Sequence, residues 1–428
     1  MPARYIFSFL VFLLLLSGLI PVHAQRDTVA PKEYKSPGGL RFSMRIVADS
    51  LDDPWNIIYG KDNHLWITEA KGYRVLRLDP SNGYCDTLFD LNDARLFPRY
   101  DTLQKNVGIS KPWPQGGLMG MAMHPDFDKD KPFVYLAYLY DYEGKKRSGD
   151  GFSKEVNGYV FTTRLVRFSY DSAKRKLIQP SIICDTIPGS NDHNSGRMII
   201  AQIDSVPYLF YTVGDMGAGQ YKNAGRTNHA QHLDSYEGKV LRFNLEPVVG
   251  NDSIADWIPA DNPFNGSRKS AIWSLGHRNA QGLTVMNKRN TQIIIASEHG
   301  PFSDDEINII RRSGNYGHPL VVGYADGNYN GLAAGVTKID SLPGEWNTSY
   351  PLIKDEKKNA AAILNYTEPI YSFEPTSVSK IRSVMKRFKD FSKWDRDWVS
   401  LAPSGLFAYQ HEAIPAWKNS LLITSLKN

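Results

Sequence analysis

One motif restricts the fold of this chain more than any other. It is a strand, a turn rich in Asp, Asn, Pro or Gly, and a second strand of β-branched or aromatic residues, and it occurs five times. Asn56–Tyr59 passes through Gly60-Lys61-Asp62-Asn63 into Leu65–Thr68, and Met119–Met123 passes through His124-Pro125-Asp126-Phe127 into Phe133–Tyr138. Arg197–Ala201 leads through Asp204 to Tyr208–Val213, Leu283–Met286 through Asn287–Asn290 to Ile293–Ala296, and Gly405–Tyr409 through Pro415-Ala416-Trp417 to Leu421–Thr424. Each unit reads as an antiparallel hairpin. Helix-period stretches are scarce, and the best of them, Ser377–Phe391, reads as an insertion. Repeated hairpins without helices between them predict an all-β chain folded as an antiparallel β-propeller with long inter-strand loops. A sandwich would space its strands more tightly, and a solenoid would repeat at shorter, more regular intervals. The chain stops inside the fifth unit, so the expectation is a propeller truncated before its last blade, with open sheet edges that favour aggregation.

The 428 residues are enough to bury a large core, and 42% apolar with 22% charged residues is ordinary for a globular protein. A formal charge of +5 without a basic block argues against a nucleic-acid partner. Arg4, the apolar run Tyr5–Ile20 and the small residues to Ala24 describe a secretory signal peptide over residues 1–24. That run is too short for the roughly 20 residues that span a bilayer. The expectation is therefore an exported protein, periplasmic or secreted, with an N-terminal extension at 25–40 and the propeller at 41–428. Export permits disulfides, but whether Cys85 and Cys184 pair is not readable from their separation, and neither has metal-site spacing.

Chemistry concentrates between Ile272 and Pro319. Leu275–Gly282 holds Arg278 and the amides Asn279 and Gln281. A strand then breaks into Glu298-His299-Gly300-Pro301, followed by Ser303-Asp304-Asp305-Glu306, whose clustered oxygens suit a hard cation such as calcium. Upstream, His193 sits in the polar loop Asp192-His193-Asn194-Ser195-Gly196-Arg197 before a strand, where a neutral imidazole suits general-base work.

In this order the stretches DNHLWITEA (62–70), GGLMGMAMHPDF (116–127), DHNSGR (192–197), TVGDMG (212–217), EGKVLRFNL (237–245), DNPFNG (261–266), LGHRNAQGL (275–283), SEHGPFSDDEIN (297–308) and NYGHP (315–319) resemble the soluble quinoprotein glucose dehydrogenases, within the glucose/sorbosone dehydrogenase family. The match thins after Tyr324 and returns at WVSLAPSG (398–405) and WKNSLLITSLK (417–427). The resemblance implies a six-bladed propeller that binds pyrroloquinoline quinone (PQQ) and Ca2+ and oxidises the C1 hydroxyl of an aldose to the lactone. It implies His193 as the base, Asp215 as the acid that orients it, and Arg278 as the cation beside the quinone carbonyl. Gln115, Asp192 and Gln220 match polar positions around sugar and cofactor; Asn279, Ser400 and Lys427 match cofactor positions, and Trp398 an aromatic at the sugar. The carbonyls of Gly300 and Pro301 match a calcium that polarises the quinone. Glu306 and Asp326, with the carbonyls of Tyr316, Val322 and Tyr324, match a second, structural calcium. The family further implies an external electron acceptor and a homodimer.

Three departures stand out. His299 occupies a position where close relatives have an amide, Asp395 one where an aromatic would flank the cofactor, and an arginine pair that would follow Lys427 is absent. Two other readings remain at this stage: a calcium-dependent propeller lactonase or hydrolase, and an inactive propeller that only binds.

Overall fold

The computed structural model describes residues 32–36, 39–97, 114–142, 160–220, 223–248, 253–289, 291–335, 348–387 and 399–427. The chain divides into two units, Met1–Asp49 and Ser50–Asn428. In the first, β1 (Lys32–Lys35) pairs antiparallel with β2 (Arg41–Met44). The expected leader at 1–24 lies outside the described residues, as do Trp398 and Asp395.

The second unit is a β-propeller of four-stranded antiparallel meanders. Blade one is β3 (Pro54–Tyr59), β4 (Leu65–Glu69), β5 (Arg74–Leu78) and β6 (Cys85–Asp90). Blade two is β7 (Leu118–Met123), β8 (Phe133–Tyr142), β9 (Phe161–Asp171) and β10 (Lys176–Gly189). Blade three is β11 (Ser195–Ile203), β12 (Val206–Val213), β13 (Lys239–Asn244) and β14 (Ile272–Leu275). Blade four is β15 (Ala280–Lys288), β16 (Thr291–Glu298), β17 (Asp305–Ile309) and β18 (Tyr371–Phe373). A two-stranded sheet follows, β19 (Pro403–Tyr409) with β20 (Ser420–Ser425).

The five hairpins read from the sequence are the first two strands of these five sheets. The blade count is corrected: the described residues build four complete blades and one hairpin, not six. A blade takes four strands, and the last sheet has two. The Ser377–Phe391 insertion contains the helix Val378–Arg387.

The core lies between blades, and strand alternation explains how. Successive side chains of a strand point to opposite faces. On β8, Val134 and Leu136 join the cluster shared with blade one, while Tyr135 and Ala137 join the cluster shared with blade three. On β12, Leu209 and Tyr211 face blade two and Phe210 faces blade four. On β16, Ile294 and Ala296 face blade three and Ile295 faces Leu406 of the last hairpin. A strand buried on both faces reads as an unbroken apolar run rather than an alternating one. Each fully buried Leu or Ile contributes about 1.5–3 kcal/mol.

The turns also pack. Trp66 donates through Nε1 to Asp62 in the turn of the first hairpin, 3.1 Å, and Arg77 Nε donates to the same carboxylate at 2.7 Å. Phe127 of the second turn meets Trp66 edge-on at 5.7 Å. Polar turn and apolar core are thus one interface. Among the described residues, no helix is long and apolar enough to cross a membrane. Cys85 is an exposed thiol and Cys184 a buried one, and the two are not bonded.

Candidate active site

The first strands β3, β7, β11, β15 and β19 all line a central cavity of about 1650 Å³. Drug-sized ligands occupy pockets of about 300–1,000 Å³, so this one can hold a cofactor and a substrate together. Its polar wall collects Gln115, Asp192, His193, Gln220, Arg278, Asn279, His299, Gly300, Ser400 and Lys427.

His193 lies just before β11 with φ +47, and Ser195 and Gly196 follow at +53 and +95. A non-glycine residue in the left-handed region is uncommon and is held there by its surroundings. Here the backbone N–H of His193 donates to Gln115 Oε1 and Asp192 Oδ1, both at 3.0 Å. Gly214 closes the other side, where an added Cβ would stand 2.0 Å from the His193 carbonyl oxygen. The loop thus fits only around a glycine at the end of β12.

Asp215 decides the tautomer. It is fully buried, and its Oδ1 accepts from His193 Nδ1 at 2.7 Å and from Gly217 N at 3.0 Å. Its Oδ2 accepts from His318 Nε2 at 2.8 Å, Tyr350 Oη at 3.0 Å and Asn228 Nδ2 at 3.1 Å. Burial opposes ionisation, yet the two histidines hold this carboxyl well below the usual carboxylate range. An ionised carboxylate only accepts, so Nδ1 of His193 carries the proton and Nε2 keeps its lone pair. That lone pair meets Gln220 Nε2 at 3.0 Å, which also donates to Asp192 Oδ2 at 3.0 Å. The result is a buried imidazole whose basic nitrogen faces the cavity.

Arg278 comes from the turn between β14 and β15. The carboxylate of Glu298, at the end of β16, accepts from the backbone N–H groups of Arg278 and Asn279, and from His277 Nδ1 at 3.0 Å. The guanidinium donates to Gln220 Oε1 at 3.1 Å and to the carbonyls of His299 and Gly300 at 3.2 and 3.1 Å. Gln220 therefore links the base to the cation. Arg278 Nε is buried without a hydrogen-bond partner, a donor that a bound acceptor would satisfy. His299 donates through Nε2 to Pro403 O at 2.8 Å, and burial, with Arg278 nearby, lowers its pKa to about 3. The departure from an amide is thus a neutral histidine.

The acidic turn is not one open cluster of ligands. Asp305 is a buried staple: it accepts from Gly300 N at 2.9 Å, Ser400 Oγ at 2.8 Å, Leu401 N at 2.6 Å and Ala402 N at 3.1 Å. Burial raises its pKa. Asp304 accepts from Ser303, from Ser372 Oγ at 2.9 Å and from Asn328 Nδ2 at 3.0 Å, and burial raises it to about 6. Glu306 accepts from Gly323 N at 2.9 Å, which brings it to the segment of Val322, Tyr324 and Asp326. Tyr316 stacks on His277 at 4.6 Å. Of the expected calcium positions only Gly300 lines the cavity; Pro301, Glu306, Tyr316, Val322, Tyr324 and Asp326 lie off it.

Sequence reasoning missed several polar residues here. His318 stands in the NYGHP stretch, and Tyr350 comes from a region where the resemblance had thinned. Lys71, lowered to about 8 by burial, and Arg197, lowered to about 10 by burial, add cations to the cavity wall. Arg197 was legible as the end of DHNSGR; Lys71 carried no signal.

The description Glucose / Sorbosone dehydrogenase applies to a family profile that matches residues 51–344. Quinoprotein glucose dehydrogenase B of Acinetobacter calcoaceticus is 30% identical over 437 residues, covering 96% of this chain and 80% of that protein. Among solved structures, a PQQ-bound aldose sugar dehydrogenase from Streptomyces coelicolor is similar at TM-score 0.54 and 22% identity, covering 90% of this chain and 77% of that one. A glucose dehydrogenase crystal structure gives TM-score 0.58 at 23% identity, covering 89% and 82%. The two structural likenesses speak for the propeller alone. The profile spans most of the chain and includes His193, Asp215 and Arg278, and with the relative it shows that this chain belongs to the glucose/sorbosone dehydrogenase family.

Proposed function

We propose that this protein is an exported aldose dehydrogenase of the quinoprotein type, using PQQ and calcium to oxidise the C1 hydroxyl of a sugar to the lactone. One observation supports the reading most: a buried imidazole, tied through Nδ1 to Asp215, presents Nε2 to a cavity that also holds Arg278. The residues fit an anionic quinone. Arg278 Nε lacks a partner, and Lys71, Arg197 and Lys427 add positive charge along the wall. When bound, the quinone supplies the hydride acceptor and calcium the Lewis acid that polarises it.

His193 Nε2 takes the anomeric hydroxyl proton, and the Asp215 carboxylate stabilises the imidazolium that results. Gln220 and Asp192 keep the ring oriented through the bonds described above. The Arg278 guanidinium, itself buried, fixes positive charge where negative charge develops. Export rests on residues 1–24 alone, whose composition is that of a leader.

The test is to add PQQ and calcium to the purified chain, supply a panel of aldoses with an artificial electron acceptor, and identify the product. Quinone-dependent acceptor reduction with lactone formation is expected. Stoichiometric quinone binding with no oxidation of any aldose would overturn the reading, and lactone hydrolysis in its place would favour the hydrolase alternative.

A further inference from the structure

A second set of ligating side chains converges away from the cavity, in the segment between β12 and β13. His229, His232 and Asp234 each bring a ligand atom within 4.8 Å of the other two. The Nδ1 atoms of the two histidines are 3.1 Å apart, with the rings at 73°. Only one proton fits between two facing imidazole nitrogens, and a metal ion can take its place. With zinc–nitrogen bonds of about 2.05 Å, the 3.1 Å separation subtends an angle of about 98° at the ion. That lies between the square value of about 90° and the tetrahedral one of about 109°. Imidazole nitrogen with one carboxylate oxygen suits zinc, copper or nickel better than calcium, which takes six to eight oxygens.

The backbone beneath the cluster is held on both sides. Lys239 is fully buried, and its Nζ donates to the carbonyls of His229, Ala230 and Glu237 at 2.9, 3.0 and 2.6 Å. His232 N donates to His229 O at 2.9 Å, closing the turn that sets the two rings side by side. Glu237 N donates to Ser235 Oγ at 3.2 Å just past Asp234. The backbone that carries the two histidines is therefore held before any ion arrives, which lowers the ordering cost of binding, and the exposed Asp234 carboxylate completes the set by side-chain rotation. His232 and Asp234 are exposed, so an ion has an entry path and a solvent-facing coordination position.

We propose that His229, His232 and Asp234 form a binding site for a divalent transition ion, Zn2+ being the probe of choice. None of the three lines the central cavity, and the site is independent of the proposed quinone chemistry. Asn228, the preceding residue, donates to Asp215, so the readout is binding rather than turnover.

The experiment is calorimetric titration of the full chain with ZnCl2 in excess calcium, which keeps oxygen-rich sites occupied. One zinc per chain is expected, with affinity falling roughly tenfold or more in His232→Gln and further in His229→Gln/His232→Gln. His411→Gln, an exposed histidine elsewhere, should bind as the parent does. Copper loading should give an electron paramagnetic resonance spectrum with two coupled nitrogens, reduced to one in His232→Gln. No zinc binding, or the same stoichiometry and affinity in His232→Gln as in the parent, would overturn the proposal. The single exposed substitution keeps the test valid even where the double variant fails to fold.

Discussion

Replacing Asp215 by Asn tests the site most sharply, because the carboxylate accepts from five donors and gives none. The amide must turn its –NH2 toward one set. On the Oδ2 side it would face His318, Tyr350 and Asn228; on the Oδ1 side, only His193 and Gly217. The second choice is less costly, and it forces His193 to accept at Nδ1. The proton then moves to Nε2, where it meets the –NH2 of Gln220, and the base is gone. Losing the correct tautomer in comparable triads costs about 10⁴ in kcat, and losing a general base about 10²–10⁴. A fall of about 10³–10⁴ in kcat follows for Asp215→Asn.

Stability changes less. The unpaired Gly217 N–H and the lost charge assistance cost about 1–3 kcal/mol each, while removing a buried charge returns several kcal/mol of desolvation. The net expectation is about 1–3 kcal/mol of destabilisation. The sign with pH is fixed by a folded-state carboxyl held below its unfolded value. Its stabilisation is whole above about pH 4 and is lost as pH falls through the folded value. The variant should therefore show a flatter acid limb in a plot of Tm against pH. Steady-state kinetics with quinone, calcium and an aldose, beside melting curves from pH 3 to 8, measure both. A kcat within tenfold of the parent, with quinone bound, would refute the tautomer argument.

Other expectations concern single groups. His193→Ala should lower kcat at least about 10²-fold while leaving quinone affinity nearly unchanged; near-normal turnover would remove it from the role of base. Chelation followed by calcium, but not magnesium, should restore both activity and Tm, since magnesium demands tight octahedral geometry and keeps its waters; equal rescue by the two ions would count against calcium. Burial lowers Lys71 to about 8, so the charge that can meet an anionic cofactor fades as pH rises past that value. Quinone affinity should drop between pH 7 and 9 in the parent and stay level in Lys71→Met, as equilibrium titration would show.

Much of the molecule was legible in the linear order of its residues. Each of the five hairpins announced itself by a turn chemistry and two apolar strands, because those signals are local and carry their own physical cause. His193 stood out by its polar loop, whereas the roles expected of Asp215 and Arg278 came from the resemblance of TVGDMG and LGHRNAQGL to the family. The third and fourth strands of each blade were not legible, since their registers follow from pairing with a neighbour already in place. The surroundings of Asp304 and Asp305 were not legible either. Their neighbours in sequence are polar, but their partners in space, Ser372, Asn328, Ser400 and the N–H groups of Leu401 and Ala402, arrive from elsewhere in the chain.

What the tertiary structure alone decided is the hydrogen-bond balance of the site. Sequence supplied a histidine and an acid; the fold determined that five donors, two of them from His318 and Tyr350, saturate Asp215 and thereby set which nitrogen of His193 is basic. Both of those residues stand more than a hundred positions from Asp215 in the chain, and only the packing of later loops against the end of β12 brings them to it. The same holds for His229 and His232. Their spacing in sequence is visible, but the 3.1 Å between the ring nitrogens belongs to a folded turn whose carbonyls the buried Lys239 Nζ holds from below. A side chain's identity is written locally, whereas its protonation and its partners are properties of everything packed around it.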